Sequence, residues 1–486
     1  VANHIDVKKE GLLFGRVAHG KPGYQQVPAY AVNFFFYGIL KAKHDEERNN
    51  GRGKPQRNGC YGNVVNEARK TLCRAAADAL RKKEREIQKL AYFWLMIAAK
   101  KMKMNRFLLM GAWICAAAAT PAQPASVVLG VHQLDKVEKL TQGKRVALLV
   151  NHTAALGNVH LVDLLRSLKV DVRKVFAPEH GFRGLADAGE TIPDGKDPET
   201  GIPIASLYGN TKKPTPAQLA DVDVVIFDIQ DVGARFFTYI STLHYMMEAC
   251  AENKKKLVVL DRPNPNGHYV DGPLLLPEQK SFVGMHPIPI VHGLTVGELA
   301  LMINGEGWLG PGKKCELEVI QMLFYDRSKP YLLPVKPSPN LPSPHSILLY
   351  PSTCLFEGTA LSVGRGTPTP FEVVGHPSLV GAPHQFTPVS IPGMARKPPF
   401  ENQLCHGWDF RDAKPENRIV LQWLIDAYQA YPEKDKFFIP YFDKLAGTPL
   451  LRQQIQSGLS EAQIRETWKS DLEAYQKVRA KYLLYP

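Results

Sequence analysis

The chain has 486 residues with 60 Lys and Arg against 47 Asp and Glu, and a net charge of +13 ordinarily invites a nucleic-acid or acidic-surface partner. The excess belongs to one end. Residues 1–103 carry 21 basic and 9 acidic side chains, leaving 39 against 38 beyond them, so no nucleic-acid role follows for the larger part.

Residues 1–103 read as an upstream extension outside the working protein. Within it, Leu90 to Ala99 is an apolar run of ten residues, too short to span a bilayer. Met104-Asn105-Arg106 then precedes 13 apolar residues, Phe107 to Ala119, and the small-residue stretch Thr120-Pro121-Ala122. That order of short basic, apolar and small-residue segments predicts a signal peptide over 104–122, and hence a periplasmic or secreted protein with no membrane span in its mature part. Four cysteines follow, Cys250, Cys315, Cys354 and Cys405. No CxxC pair fixes a connectivity, and the plain expectation is buried thiols.

From Val127 to about Ile303, short β-rich apolar runs alternate with helical segments, the pattern of a parallel sheet with crossover helices. Strands are predicted at 146–150, 172–177, 222–229 and 257–260, with helices at 160–168 and 236–253. Asn151-His152-Thr153 follows the first strand where a dinucleotide site would carry GxGxxG, so no nucleotide cofactor is implied. Seven prolines between Lys329 and Pro351 interrupt regular structure and mark a connection. The fold class is therefore α/β, with a Rossmann-like domain at 123–335, a smaller α/β domain at 336–486, and a cleft between or beside them. Near the end, Ser460 and Gln463 form a capping box ahead of one apolar face, Ile464, Trp468, Leu472, Tyr475 and Tyr482.

Ligands of an open parallel sheet bind beyond the carboxyl ends of its strands. Four loops fill those places. Asn151 follows the first strand, Glu179, His180 and Arg183 the second, Asp228, Gln230, Asp231 and Arg235 the third, and Asp261, Arg262 and Asn264 the fourth. Asp, Asn and Arg offer the planar paired contacts that sugar hydroxyls and carboxylates take. Hydrolysis of a glycoside needs a protonated acid at the leaving oxygen and a second group handling the nucleophile. Glu179 is the leading acid on these grounds, with Asp231 and Asp261 as second carboxylates. No HExxH or CxxC spacing argues for a metal, and no GxSxG for an esterase.

The blocks Pro178–Gly184 (PEHGFRG), Phe227–Thr242, Leu260–Pro265, Pro337–Pro342 (PSPNLP), Cys354–Thr359 and Ser362–Thr367 together resemble the exo-β-N-acetylmuramidase family, long catalogued as a domain of unknown function. The likeness runs in order over about 127–486. It implies a Rossmann-like domain joined to a smaller α/β domain, a cleft with essential glutamates, and release of terminal β-linked N-acetylmuramic acid from peptidoglycan fragments. By motif, Glu179 matches the family's loop glutamate, the catalytic acid or base, and Glu248 its second. Glu248 lies about twelve residues into a helix, roughly 18 Å from the ligand edge at 1.5 Å per residue. Asn340, Glu357 and Arg365 are expected to wall the cleft, and Arg365 or Arg235 to meet the lactyl carboxylate. The alternative is a non-catalytic periplasmic binding protein for muropeptides or amino sugars.

Overall fold

The computed structural model describes residues 126–179, 181–183, 194–209 and 211–486. The expected upstream extension, the signal peptide and His180 lie outside them. Ala122–Pro486 forms one compact unit.

The unit is built on a seven-stranded sheet. After helix α1 (Leu134–Thr141) come β1 (Arg145–Val150), α2 (Leu161–Ser167), β2 (Asp171–Ala177), the two-residue β3 (Gly195–Lys196), β4 (Pro203–Ser206), α3 (Pro216–Leu219), β5 (Val224–Asp228), α4 (Tyr239–Glu252), β6 (Lys256–Leu260) and, beyond a small antiparallel pair, β7 (Asp271–Leu274) with β8 (Pro289–Val291), α5 (Val296–Gly305) and β9 (Glu316–Ile320). The sheet order is β9-β6-β5-β1-β2-β4-β3. All neighbours are parallel except β3, which runs antiparallel to β4 at the edge. The chain winds outward from β1 through β2 to β4, then returns to β5 on the other side. That reversal is the switch point of a doubly wound fold, where loops diverge and leave a crevice.

The strands are central because both faces are covered. β1 reads RVALLV and β5 VVIFD, with every residue buried except Arg145. Such continuous apolar runs suit only a sheet with a layer on each side. One layer packs α1, α2 and the chain end onto Val146, Leu148 and Ile226. The other packs α4, α5 and the C-terminal segment onto Ala147, Leu149 and Phe227 as one continuous cluster reaching Tyr475.

Two sequence expectations are corrected. The proline-rich stretch does not exclude regular structure, since α6 (Pro344–Thr353) begins inside it. Ser343 caps this helix and Pro344 sits at its first position, where no amide hydrogen is needed, while Pro351 lies in its last turn. The terminal apolar face is likewise not one helix. The Ser460/Gln463 capping box forms as predicted, but α-helix Glu461–Glu466 stops at Thr467, and Trp468 becomes the N-cap of a second helix, Lys469–Arg479. Between these lie a three-stranded antiparallel sheet (Val373–His376, His384–Phe386, Cys405–Asp409) and several short helices, among them Tyr441–Ala446.

Candidate active site

Three carboxyl-end loops of the sheet converge on one cleft. Glu179 follows β2, Tyr208 follows β4, and Thr238 and Tyr239 stand at the start of α4; all four line the cleft. The Tyr208 hydroxyl donates to Oε1 of Glu179 at 3.0 Å, and the Thr238 hydroxyl to Oε2 at 3.2 Å. Thr238 is the N-cap of α4, yet its side chain makes no capping bond to the helix. Its hydroxyl serves Glu179 instead. Burial, reinforced by the Glu179 charge, pushes the Tyr208 phenol upward, so it stays a neutral donor.

The C-terminal segment supplies the facing wall, through Ser338, Asn340, Tyr350 on α6, Glu357, Arg365, Phe371 and Tyr441. Glu357 stands in a short 3-10 helix, Cys354–Gly358, that continues from α6. Its Oε1 accepts from Arg365 Nε at 2.7 Å, and its Oε2 from the Cys354 thiol at 3.6 Å. The Arg365 guanidinium also lies over the Phe371 ring, 5.1 Å from its centroid. Burial works against the Arg365 charge, but Glu357 outweighs it and raises the group above its ordinary range. Asn340 donates through Nδ2 to the Met394 carbonyl at 2.8 Å. Phe236, Phe237, Phe282 and Tyr441 add aromatic faces. The space lined by described residues is about 200 Å³, small against the ~300–1,000 Å³ usual for ligand clefts.

Of the residues expected from sequence, the structure brings Glu179, Asn340, Glu357 and Arg365 together. The other described ones lie elsewhere. Asp228 and Arg262, both buried, face each other across neighbouring strand ends, with Nε–Oδ1 at 2.5 Å and Nη2–Oδ2 at 2.9 Å. The pair ties the carboxyl ends of β5 and β6 together, beside the switch point between β1 and β5. Asn151 is fully buried behind Tyr239 and accepts from the Thr153 amide and hydroxyl. Gln230 bonds the carbonyls of Asp231 and Pro263, and Asn264 the carbonyl of Leu294. Asp231 accepts from the Gly233 amide at 2.6 Å, closing a turn that needs the φ of +79° only glycine adopts readily.

Asp261 sits where the positive end of a helix wants a carboxylate. It takes the Gly297 amide in the first turn of α5, with the hydroxyls of Thr295 and Tyr485, and its burial pushes its pKa up to about 6. Arg183 pairs in fork fashion with buried Asp197. Glu248, in the third turn of α4, is bound at the surface by Lys213 at 3.2 Å and Lys313 at 3.5 Å and does not line the cleft. Arg235 cannot meet a substrate carboxylate, because it is wholly buried. Its two terminal nitrogens donate to the carbonyls of Pro273, Ile288, Leu445 and Ala446, and burial pulls its pKa down to about 9.

Sequence reading missed Tyr208, Thr238, Ser338, Tyr350 and Tyr441. Tyr208 was detectable by the same rule that found Glu179, since it too follows a parallel strand. Thr238 ends the loop after β5, beyond the residues selected there, while Ser338, Tyr350 and Tyr441 come to the cleft only through tertiary packing. All four described cysteines are buried thiols. No helix among the described residues is long and apolar enough to cross a membrane.

Two family models match the chain, the N-terminal region of exo-β-N-acetylmuramidase NamZ over residues 146–345 and its C-terminal region over 348–485. The peptidoglycan β-N-acetylmuramidase NamZ of Bacillus subtilis is 39% identical over 407 residues, covering 78% of this chain and 97% of that protein. A solved DUF1343-family protein from Bacteroides fragilis is 47% identical with a TM-score of 0.69, over 74% of this chain and 99% of its own. A second from the same organism is 31% identical with a TM-score of 0.63, over 75% and 100%.

Proposed function

Because this chain belongs to the exo-β-N-acetylmuramidase family, we propose that it hydrolyses the bond of a terminal β-linked N-acetylmuramic acid in peptidoglycan fragments. It is a glycoside hydrolase acting from the chain end. The cleft fits that task, since a space of about 200 Å³ suits one terminal sugar better than a threaded polymer.

The observation that carries the reading is the setting of Glu179. Its two oxygens are each held by a hydroxyl from a different element. Catalytic proton transfer depends on such fixed placement before pKa matters at all. Glu179 is the proton-transferring carboxyl in this reading. Aromatic faces at Phe282 and Tyr441 can pack on the apolar side of a pyranose ring, while Asn340 and Arg365 present polar atoms. In this reading the segment 104–122 acts as a signal peptide, so that the reaction belongs to the periplasm or the cell exterior, where peptidoglycan fragments are released.

Incubating the full-length protein with a chromogenic N-acetylmuramic acid β-glycoside tests the reading. Release of the chromophore is expected. Tight binding of the glycoside with no release would make the protein a binding module instead.

A further inference from the structure

Arginine carries five N–H donors in a rigid fork, and a buried one normally spends them all. In the cleft, Arg365 does not. Its Nε edge is committed to Glu357 and its flat face to Phe371, while Nη1 is buried with no hydrogen-bond partner among the described residues. Asn340, on the same wall, shows the complementary vacancy. Its Nδ2 is committed to the Met394 carbonyl, and its buried Oδ1 accepts no hydrogen bond from the described residues. Leaving a buried polar atom unsatisfied is costly to the fold. Two of them in one cleft, one cationic donor and one acceptor, describe a ligand bearing an anionic acceptor and a neutral donor.

Glu357 does not fill the role of that anion. Both its oxygens are occupied, by Arg365 and by Cys354, and it stands beside the guanidinium and not across its open edge. Its effect is to fix the fork's direction and keep its charge in a partly dry site.

We infer that Arg365, through its free Nη edge, binds the lactyl carboxylate of the muramic acid residue and sets the preference for it over a glucosamine residue, while Asn340 Oδ1 accepts from an amide or hydroxyl of the same sugar. Glu357 is then a positioning residue for Arg365. This rests on the muramidase reading above. It adds to that reading which atoms recognise the group that distinguishes the substrate.

The test pairs two substrates with the full-length protein, a chromogenic N-acetylmuramic acid β-glycoside and the same compound with its lactyl carboxyl as a methyl ester. The wild type should favour the acid by about 10²-fold in kcat/KM, as expected when one partner of a buried charge pair is lost. In Arg365→Met, which keeps the apolar stem, the two compounds should fall within about threefold of each other. Arg365→Lys, which keeps charge but not the fork, should restore part of the preference. Calorimetry with free N-acetylmuramic acid and its methyl ester should show the same ranking without any turnover. The inference is overturned if the wild type treats acid and ester alike, or if a folded Arg365→Met still prefers the acid. Absence of all cleavage, with the acid still bound over the ester, would remove the hydrolase reading and leave this one standing.

Discussion

The hydroxyl of Tyr208 reaches Oε1 of Glu179 from the end of the neighbouring parallel strand, at 3.0 Å. Adjacent strands of one sheet thus deliver a carboxyl group and the donor that aims it. Tyr208→Phe keeps the ring and removes only that bond. A hydrogen bond to a charged group contributes about 1.5–3 kcal/mol, so kcat should fall about 10-fold or more with KM little changed. Steady-state kinetics decide this, and an unchanged kcat would deny Tyr208 the positioning role.

Glu179→Gln preserves the size of the side chain and one acceptor for its two hydroxyl neighbours while removing the proton it can transfer. Turnover should drop by ~10²-fold or more. Calorimetry should show the sugar still bound. Loss of binding along with turnover would make the loop a recognition element instead.

The Asp228–Arg262 pair joins the ends of β5 and β6 with almost no exposure on either side. Arg262→Met would strand a buried carboxylate. Breaking such a pair from one side costs about 3–5 kcal/mol, whereas Asp228→Leu with Arg262→Met should recover most of the loss. Urea unfolding of the two variants beside the wild type checks both parts. An Arg262→Met variant as stable as wild type would show water or another cation compensating.

Behind the cleft, His244 Nδ1 lies 3.1 Å from His286 Nε2, and the His286 ring stacks on Trp308 with centroids 5.4 Å apart. Burial pulls His244 down to about 4 from 6.5 and His286 well below its ordinary range, with Lys280 adding to both and Glu248 opposing at His244. Both rings are therefore neutral when folded and take up protons on unfolding below the ordinary histidine range. Stability should be full above pH 6.5 and decline as pH falls toward 4, by up to ~1.4 kcal/mol per pH unit for each ring. Denaturant titrations at pH 7.5 and 5 measure it. In His244→Gln/His286→Gln the difference between the two pH values should shrink, and an equal difference would assign it to other groups.

Strands β1, β5 and β6 were legible within two residues because their burial on both faces writes unbroken apolar runs, and β2 through its buried end, Val175-Phe176-Ala177. β4 was not, since Pro203-Ile204-Ala205-Ser206 is short and only half apolar. The rule that ligands meet strand ends selected four loops, and two of them, after β2 and β5, reach the cleft, the second through Thr238 and Tyr239 and not through the residues singled out in it. It could not tell a polar residue turned toward substrate from one spent on the scaffold. Asp261 capping α5, Asp231 closing a glycine turn and Arg262 neutralising Asp228 all use the residue types of a sugar site for internal satisfaction. Glu357 and Arg365 were recognised only through the motif they sit in, because their meeting with Glu179 depends on contacts far apart in sequence.

Arg235 holds the far ends of this arrangement by backbone alone. Two of its four acceptors, the carbonyls of Leu445 and Ala446, close the short helix that begins with cleft residue Tyr441, and the other two belong to the segment running through β7 toward β8. Every residue type carries a carbonyl. Positions 445 and 446 are themselves buried, so packing and not this bond restricts which residues stand there. A single guanidinium thereby ties the course of Tyr441's helix to the chain between β7 and β8 through main-chain oxygens, whatever side chains those positions carry.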